Sequence, residues 1–209
     1  MKNLGTVHVI DDDSAVRTSL ERSLIRRGYT FEGYDCAENF LETYQPENTK
    51  GCLVLDVRMP GMSGLELQQE INAKNFKLPV IFITGHGDVP MSVRAMKGGA
   101  VEFLEKPYSV ENLLEHIEEA ISISEKQISV DAEHNEIIAR YYRLTKRESE
   151  VMINLVSGGG DSSNKMVARK LGIGHRTVDD HRARVMGKMQ ARSLAELVSM
   201  AKICGVYKR

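Results

Sequence analysis

Five times in the first 122 residues a short apolar run gives way to a stretch with helical periodicity. No other feature constrains the fold of this 209-residue chain as strongly. The runs are Thr6–Ile10, Thr30–Tyr34, Cys52–Leu55, Pro79–Thr84 and Ala100–Leu104. Between and after them lie Ala15–Arg27, Ala37–Tyr44, Gly64–Ala73, Val89–Gly98 and Val110–Ser122, in which apolar residues recur at helical spacing. The first of these has helical periodicity through Val16, Leu20, Leu24 and Ile25, and Gly28 closes the helix. Cys52-Leu53-Val54-Leu55 has no polar interruption, as expected of a strand buried on both faces. Strand and helix in alternation predict an α/β, doubly wound, five-stranded parallel sheet.

After Leu144 the strand signals stop. Thr145 with Glu148 three residues on makes a capping box for a helix running to about Ser157. Gly158-Gly159-Gly160-Asp161-Ser162-Ser163 reads as a loop, Asn164–Leu171 as a short helix and Gly172-Ile173-Gly174 as a turn. His175–Gln190 and Ser193–Cys204 read as two further helices. A helix, a tight turn with glycine and a second helix form a helix-turn-helix pattern in a small all-α domain. The polar, mixed stretch 123–142 reads as a linker, helical in part, which predicts domains over 1–122 and 143–209.

Charge divides along the same line. Residues 1–122 hold 12 Lys and Arg against 19 Asp and Glu, whereas residues 143–209 hold 14 against 6. A basic C-terminal domain makes nucleic acid the first partner to consider. The three cysteines, Cys36, Cys52 and Cys204, are odd in number and lie far apart, which fits a reducing compartment better than a disulfide framework. No run approaches the roughly 18 apolar residues of a membrane helix. The first five residues lead straight into a strand, which leaves no place for a signal peptide. The expectation is a cytoplasmic protein with no membrane partner.

In an open parallel sheet, ligands bind beyond the carboxyl ends of the strands. Asp11 and Asp12 follow the first strand, Asp56 ends the third, Thr84 ends the fourth and Lys106 follows the fifth. A single Asp after a strand is usually a turn former or a cap, as Asp13 would be here, and a single Lys-Pro is usually surface. Five such groups at successive strand ends instead converge on one edge. Clustered carboxylates need a cation, and a hard divalent ion such as Mg²⁺ suits oxygen ligands. Asp56 is then placed as a nucleophile toward phosphorus, with Lys106 to neutralise charge and the Thr84 hydroxyl to donate to a phosphoryl oxygen.

The motifs that carry these groups are Val9-Ile10-Asp11-Asp12-Asp13, Leu55-Asp56-Val57-Arg58-Met59-Pro60-Gly61-Met62-Ser63-Gly64, Ile83-Thr84-Gly85-His86-Gly87-Asp88 and Phe103-Leu104-Glu105-Lys106-Pro107. In them residues 5–122 resemble the flavodoxin-like receiver domain of two-component response regulators, and the stretch from Gly85 to Lys97 is similar to the FixJ subgroup. The resemblance implies Asp56 as phospho-acceptor, with Asp11, Asp12, Asp56 and the main-chain carbonyl of Arg58 as Mg²⁺ ligands. It makes Lys106 the phosphate-binding lysine, and Thr84 and Phe103 the switch pair. Phe103, lacking the hydroxyl of the tyrosine often found there, could bury fully in its inward position.

Residues 143–204 resemble the LuxR-type helix-turn-helix through Leu144-Thr145-Lys146-Arg147-Glu148, Asn164-Lys165, Leu171-Gly172-Ile173, Thr177-Val178, His181-Arg182, Lys188 and Glu196-Leu197-Val198. The loop from Gly158 to Asn164 is about three residues longer than the family's usual connection. At about 100° per residue, Val178, His181, Val185 and Met189 form the packing face of the recognition helix, with His181 a packed or capping histidine. Arg176, Asp180, Ala183 and Gly187 lie opposite, and Arg184 and Lys188 lie on a flank, where phosphates would be. Thr177, Asp179 and Arg182 complete the residues expected at DNA. A bare stripe of Ala183 and Gly187 suits close approach to a groove. Asp179 and Asp180 could accept from cytosine N4 or repel wrong sequences.

The implied sequence of events starts with a sensor histidine kinase that phosphorylates Asp56. Thr84 and Phe103 then move inward, and the receivers form a homodimer. The DNA-binding domains engage double-stranded promoter DNA, with RNA polymerase as a further partner. On this reading the chain is not an enzyme beyond its own phosphotransfer and autodephosphorylation. A Mg²⁺-dependent aspartyl phosphatase would need a second acid near Asp56 and a substrate cap, but residue 58 is Arg and no cap segment is present. A helical module that binds protein or RNA remains the alternative for the basic half.

Overall fold

The computed structural model describes residues 4–46, 50–85, 89–157 and 163–207. The chain divides into two compact units, Met1–Ser129 and Val130–Arg209.

The first unit alternates as expected. Its elements are β1 (Thr6–Ile10), α1 (Ser14–Arg27), β2 (Thr30–Tyr34), α2 (Ala37–Thr43), β3 (Gly51–Asp56), α3 (Gly64–Ala73), β4 (Val80–Thr84), α4 (Val89–Lys97), β5 (Glu102–Glu105) and the start of α5 (Val110–Tyr142). Among the described residues the sheet has five strands, all parallel, in the order β2-β1-β3-β4-β5. Side chains alternate across the pleat, so β3 serves two cores at once. Cys52 and Val54 pack with Val7, Val9, Ile81 and Ile83 under Leu24, Leu113 and Ile117. Leu53 and Leu55 pack with Ile10 and Phe82 under Phe40, Leu67 and Ile71. This two-sided burial accounts for the unbroken apolar run in the sequence.

Local chemistry sets the helix ends. The Asp13 carboxylate accepts from Ala15 N at 2.8 Å and caps α1, and Gly28 ends it at φ +92°, in the left-handed region that glycine enters without a Cβ clash. Ser63 and Glu66 form a capping box at α3.

The second unit holds α6 (Lys146–Ser157), α7 (Asn164–Leu171), α8 (His175–Met189) and α9 (Leu194–Ile203), together with the end of α5. The capping box expected at Thr145 is present. Thr145 N donates to Glu148 Oε2 at 2.7 Å, and Glu148 N donates to Thr145 Oγ1 at 3.3 Å. Ser163 caps α7, and the rest of the Gly158–Ser163 loop lies outside the described residues. Val178, Val185 and Met189 of α8 are fully buried, as their periodicity predicts. The stretch 123–142, expected to be helical only in part, is helical throughout as the continuation of α5.

Candidate functional site

The acids after β1 and β3 meet at one edge of the sheet. Asp11 is fully buried, Asp56 is nearly so and Asp12 is exposed. One carboxylate oxygen from each lies within 4.8 Å of the others. Lys106 reaches in from beyond β5, and its ammonium donates to Asp11 Oδ2 at 2.9 Å and to Asp56 Oδ2 at 3.0 Å. Arg58 N donates to Asp56 Oδ1 at 3.0 Å, and Asp13 N to Asp11 Oδ1 at 2.9 Å. Burial pushes the Asp11 carboxyl above its ordinary value, against the opposing pull of Lys106. Burial also works against the Lys106 ammonium, but its bonds to Asp11 and Asp56 outweigh that and leave its pKa raised. The donors of this acid set are all hard oxygens, and its buried acid is only partly compensated by one lysine. Such a set fits a divalent cation.

Thr84 is buried at the end of β4, one residue beyond Ile83, which pairs with Asp56 across the sheet. Its carbonyl accepts from Lys106 N at 2.7 Å, which ties the two sites together through the main chain. Phe103 is half-buried, with its ring centroid 6.1 Å from that of Phe82. His86, Gly87 and Asp88 lie outside the described residues.

Two supports of this site, Arg17 and Glu38, escaped the sequence reading, and a third, Gly64, stood in its motif without a stated role. Gly64, the first residue of α3, is pressed so closely on the Asp56 carbonyl that an added Cβ would stand 2.2 Å from its oxygen. Arg17 of α1 donates from Nη1 to the Asp11 carbonyl. Glu38 of α2 accepts from Met62 N at 3.0 Å, in the loop that follows Asp56. The glycine could have been suspected from its place just after Ser63. Glu38 and Met62 form a long-range pairing, and the Arg17 bond reaches back six residues to a main-chain carbonyl, so neither has a signature in the motif.

In the second unit, α8 separates its charged residues into two groups. Arg176, Thr177, Asp179, Asp180, Ala183, Arg184, Gly187 and Lys188 are exposed, and Arg182 is half-buried. Three of the expected DNA contacts have partners inside the domain. Lys188 donates to Glu148 Oε2 at 2.6 Å and to the Arg143 carbonyl at 3.4 Å, so its ammonium does not sit free on a phosphate flank. The cause is Glu148, a buried capping acid that needs a cation. Bonds from Lys188 and Thr145 hold the Glu148 carboxyl down to about 2. Asp179 pairs with His175 Nδ1 at 3.0 Å and also accepts from Asn164 Nδ2. Arg182 donates to Asn164 Oδ1 at 2.9 Å. Among the described residues the side chains of Arg176, Asp180 and Arg184 make no hydrogen bond or ion pair. The Nδ1 atom of His181 is buried with no hydrogen-bond partner among the described residues, which fits packing better than capping.

Comparison with known proteins agrees with this division. Residues 7–118 match the response regulator receiver domain family, and residues 142–201 match the LuxR family of bacterial regulatory proteins. The chain is 44% identical to the transcriptional regulatory protein FixJ of Bradyrhizobium diazoefficiens, over 99% of this chain and 98% of that protein. It is 46% identical to FixJ of Azorhizobium caulinodans, over 96% and 93% of the two chains. Among solved structures, the response regulator StyR superposes with a TM-score of 0.78 at 44% identity, over 94% of this chain and 98% of that one. Among the described residues no helix is long and apolar enough to cross a membrane. A receiver-type sheet carrying the acid cluster, a LuxR-type helical unit, and full-length similarity to FixJ together place this chain in the two-component response regulators, as a transcriptional regulator with a receiver domain and a LuxR-type DNA-binding domain.

Proposed function

We propose that Asp56 is the phospho-acceptor and that its phosphorylation by a sensor histidine kinase controls DNA binding by the C-terminal domain. The observation that carries this reading is the Lys106 ammonium bridging Asp11 and Asp56 beside the carboxylate of Asp12. An Asp56 oxygen forms the new bond to phosphorus while the bond from phosphorus to the kinase's histidine nitrogen breaks. The electron pair stays on that nitrogen, which takes up a proton. Lys106 offsets the charge on the transferring group, and the Thr84 hydroxyl donates to a phosphoryl oxygen. Asp11, Asp12, Asp56 and the main-chain carbonyl of Arg58 would hold Mg²⁺, which when bound shields the negative charge of acid and phosphate. Autodephosphorylation reverses the modification: water attacks phosphorus and Asp56 leaves as a carboxylate.

On phosphorylation the hydrogen bond from its hydroxyl to the phosphoryl oxygen draws Thr84 inward, and Phe103 follows from its half-buried position. The face of α4 and β5 then changes and supports a homodimer. The working division is a receiver over 1–122, a connecting stretch over 123–142 and a DNA-binding domain over 143–209. The dimer engages double-stranded promoter DNA in the cytoplasm and contacts RNA polymerase. The DNA surface comprises Arg176, Thr177, Asp180, Ala183, Arg184 and Gly187. Asp179, Arg182 and Lys188 act mainly by holding the helix in place.

Acetyl phosphate with Mg²⁺ tests the acceptor. Intact mass should rise by one phosphoryl group in the wild type and remain unchanged in Asp56→Asn. The same gain in both would sink the assignment.

A further inference from the structure

A carboxylate on a helix that reads DNA is out of place against phosphates, and α8 has two, Asp179 and Asp180. The structure gives them different surroundings. Asp179 is held by His175 and Asn164 within the domain. Asp180 is exposed and makes no hydrogen bond or ion pair among the described residues, even with Arg176 one turn earlier. At about 100° per residue Asp180 shares a strip with Arg176, Ala183 and Gly187, directly opposite the buried Val178, Val185 and Met189. Beyond Asp180 the strip carries no bulk. A Cβ built on Gly187 would meet nothing within 4 Å. The helix can therefore seat closely, and Asp180 then goes to the base edges rather than to solvent.

An acid taken out of water without a partner is costly, so a close-seated Asp180 must accept a hydrogen bond. The major groove offers amino donors only at cytosine N4 and adenine N6. Guanine presents O6 and N7 and thymine presents O4, all acceptors that repel a carboxylate. Adenine N6 is flanked by the acceptor N7, which faces the second carboxylate oxygen. Cytosine N4 has no acceptor beside it on its own base. We infer that Asp180 is a specificity-determining residue that reads a cytosine through its N4 amino group. The inference rests on the DNA-binding reading above and extends it to one base.

The test selects binding sites from a randomised duplex pool with the full-length protein, pretreated with acetyl phosphate and Mg²⁺. Wild type should recover a site with a fixed cytosine. Asp180→Ala should recover the same site with that one position relaxed, losing about tenfold of base preference there. Replacing that cytosine by N4-methylcytosine should weaken wild type by about tenfold and leave Asp180→Ala unaffected. An unchanged preference at every position in Asp180→Ala would overturn the inference. So would a uniform tightening on all sequences, which would mean that the acid only repels. A wild type that selects no duplex would overturn the DNA-binding reading itself, an outcome separable from failure at Asp180 alone.

Discussion

At the scale of the residue, the acids and the lysine of the receiver were legible because each stands at the end of a strand, where the chain reverses and side chains converge. Their supports were not, save that Gly64 stood in the motif without its physical reason. The need for glycine at position 64 comes from the Asp56 carbonyl, eight residues earlier in sequence and in direct contact in space. Gly64→Ala should therefore cost about 2–3 kcal/mol in urea unfolding, the upper range for forcing bulk into a packed site, and should slow phosphoryl transfer to Asp56. A variant as stable as wild type would show that α3 can shift freely there. Glu148 makes a second prediction. Its carboxyl is held well below the usual range, chiefly by Lys188, so it stabilises the fold above about pH 4.5 and loses that effect as pH falls toward about 2. Amide protection in α6 and α8, corrected for the intrinsic exchange rate at each pH, should fall over that window in wild type, whereas Glu148→Gln should show a flatter dependence. Lys188→Ala leaves a buried acid unpaired, so it should lower stability rather than simply reduce the salt dependence of DNA binding.

At the scale of the element, the pattern of strands and helices was plain where apolar periodicity was strong and blurred where it faded. Stretch 123–142 looked like a linker because it is polar and mixed, yet it contains no glycine or proline, and the helix continues through it. Absence of a breaker was the better signal there. For α8, periodicity found the buried face correctly, but it could not reveal that Asp179, Arg182 and Lys188 are already engaged, since their partners lie on other helices or at the start of α8 itself. The outward strip makes the element's prediction. Gly187→Leu should raise helix stability, because leucine is the better helix former and the position opens on empty space. Ala183→Leu should be nearly neutral for folding. Both should nevertheless lose specific DNA affinity by about 1–3 kcal/mol, the cost of one bad base contact. If Gly187→Leu melts higher and binds its site as tightly as wild type, close seating of the helix is wrong.

At the scale of the whole molecule, the split in charge and the two folding patterns were both visible in the sequence, and they mark the same division of labour. The acidic unit is a receiver domain with the acid cluster, to which the proposed function assigns the cation and phosphoryl chemistry, and the basic unit is the LuxR-type DNA-binding domain. In the proposed function, communication between them runs through a homodimer. Val89, Val93 and Met96 leave α4 with an apolar face that is 76%, 44% and 46% exposed at those residues, which fits a surface awaiting a second copy. Sedimentation should find a shift toward dimer on phosphorylation at tens of micromolar, roughly the working range of weak dimers. Protein that stays monomeric there would remove dimerisation from the account. The central claim is that chemistry at Asp56 governs DNA affinity, and the direct measurement is titration of a selected duplex with the full-length protein, with and without acetyl phosphate and Mg²⁺. Phosphorylation should tighten wild-type binding by about tenfold, within the usual range of coupling between two sites, and Asp56→Asn should lose that gain. Equal affinity in both states, or the same gain in Asp56→Asn, would contradict it.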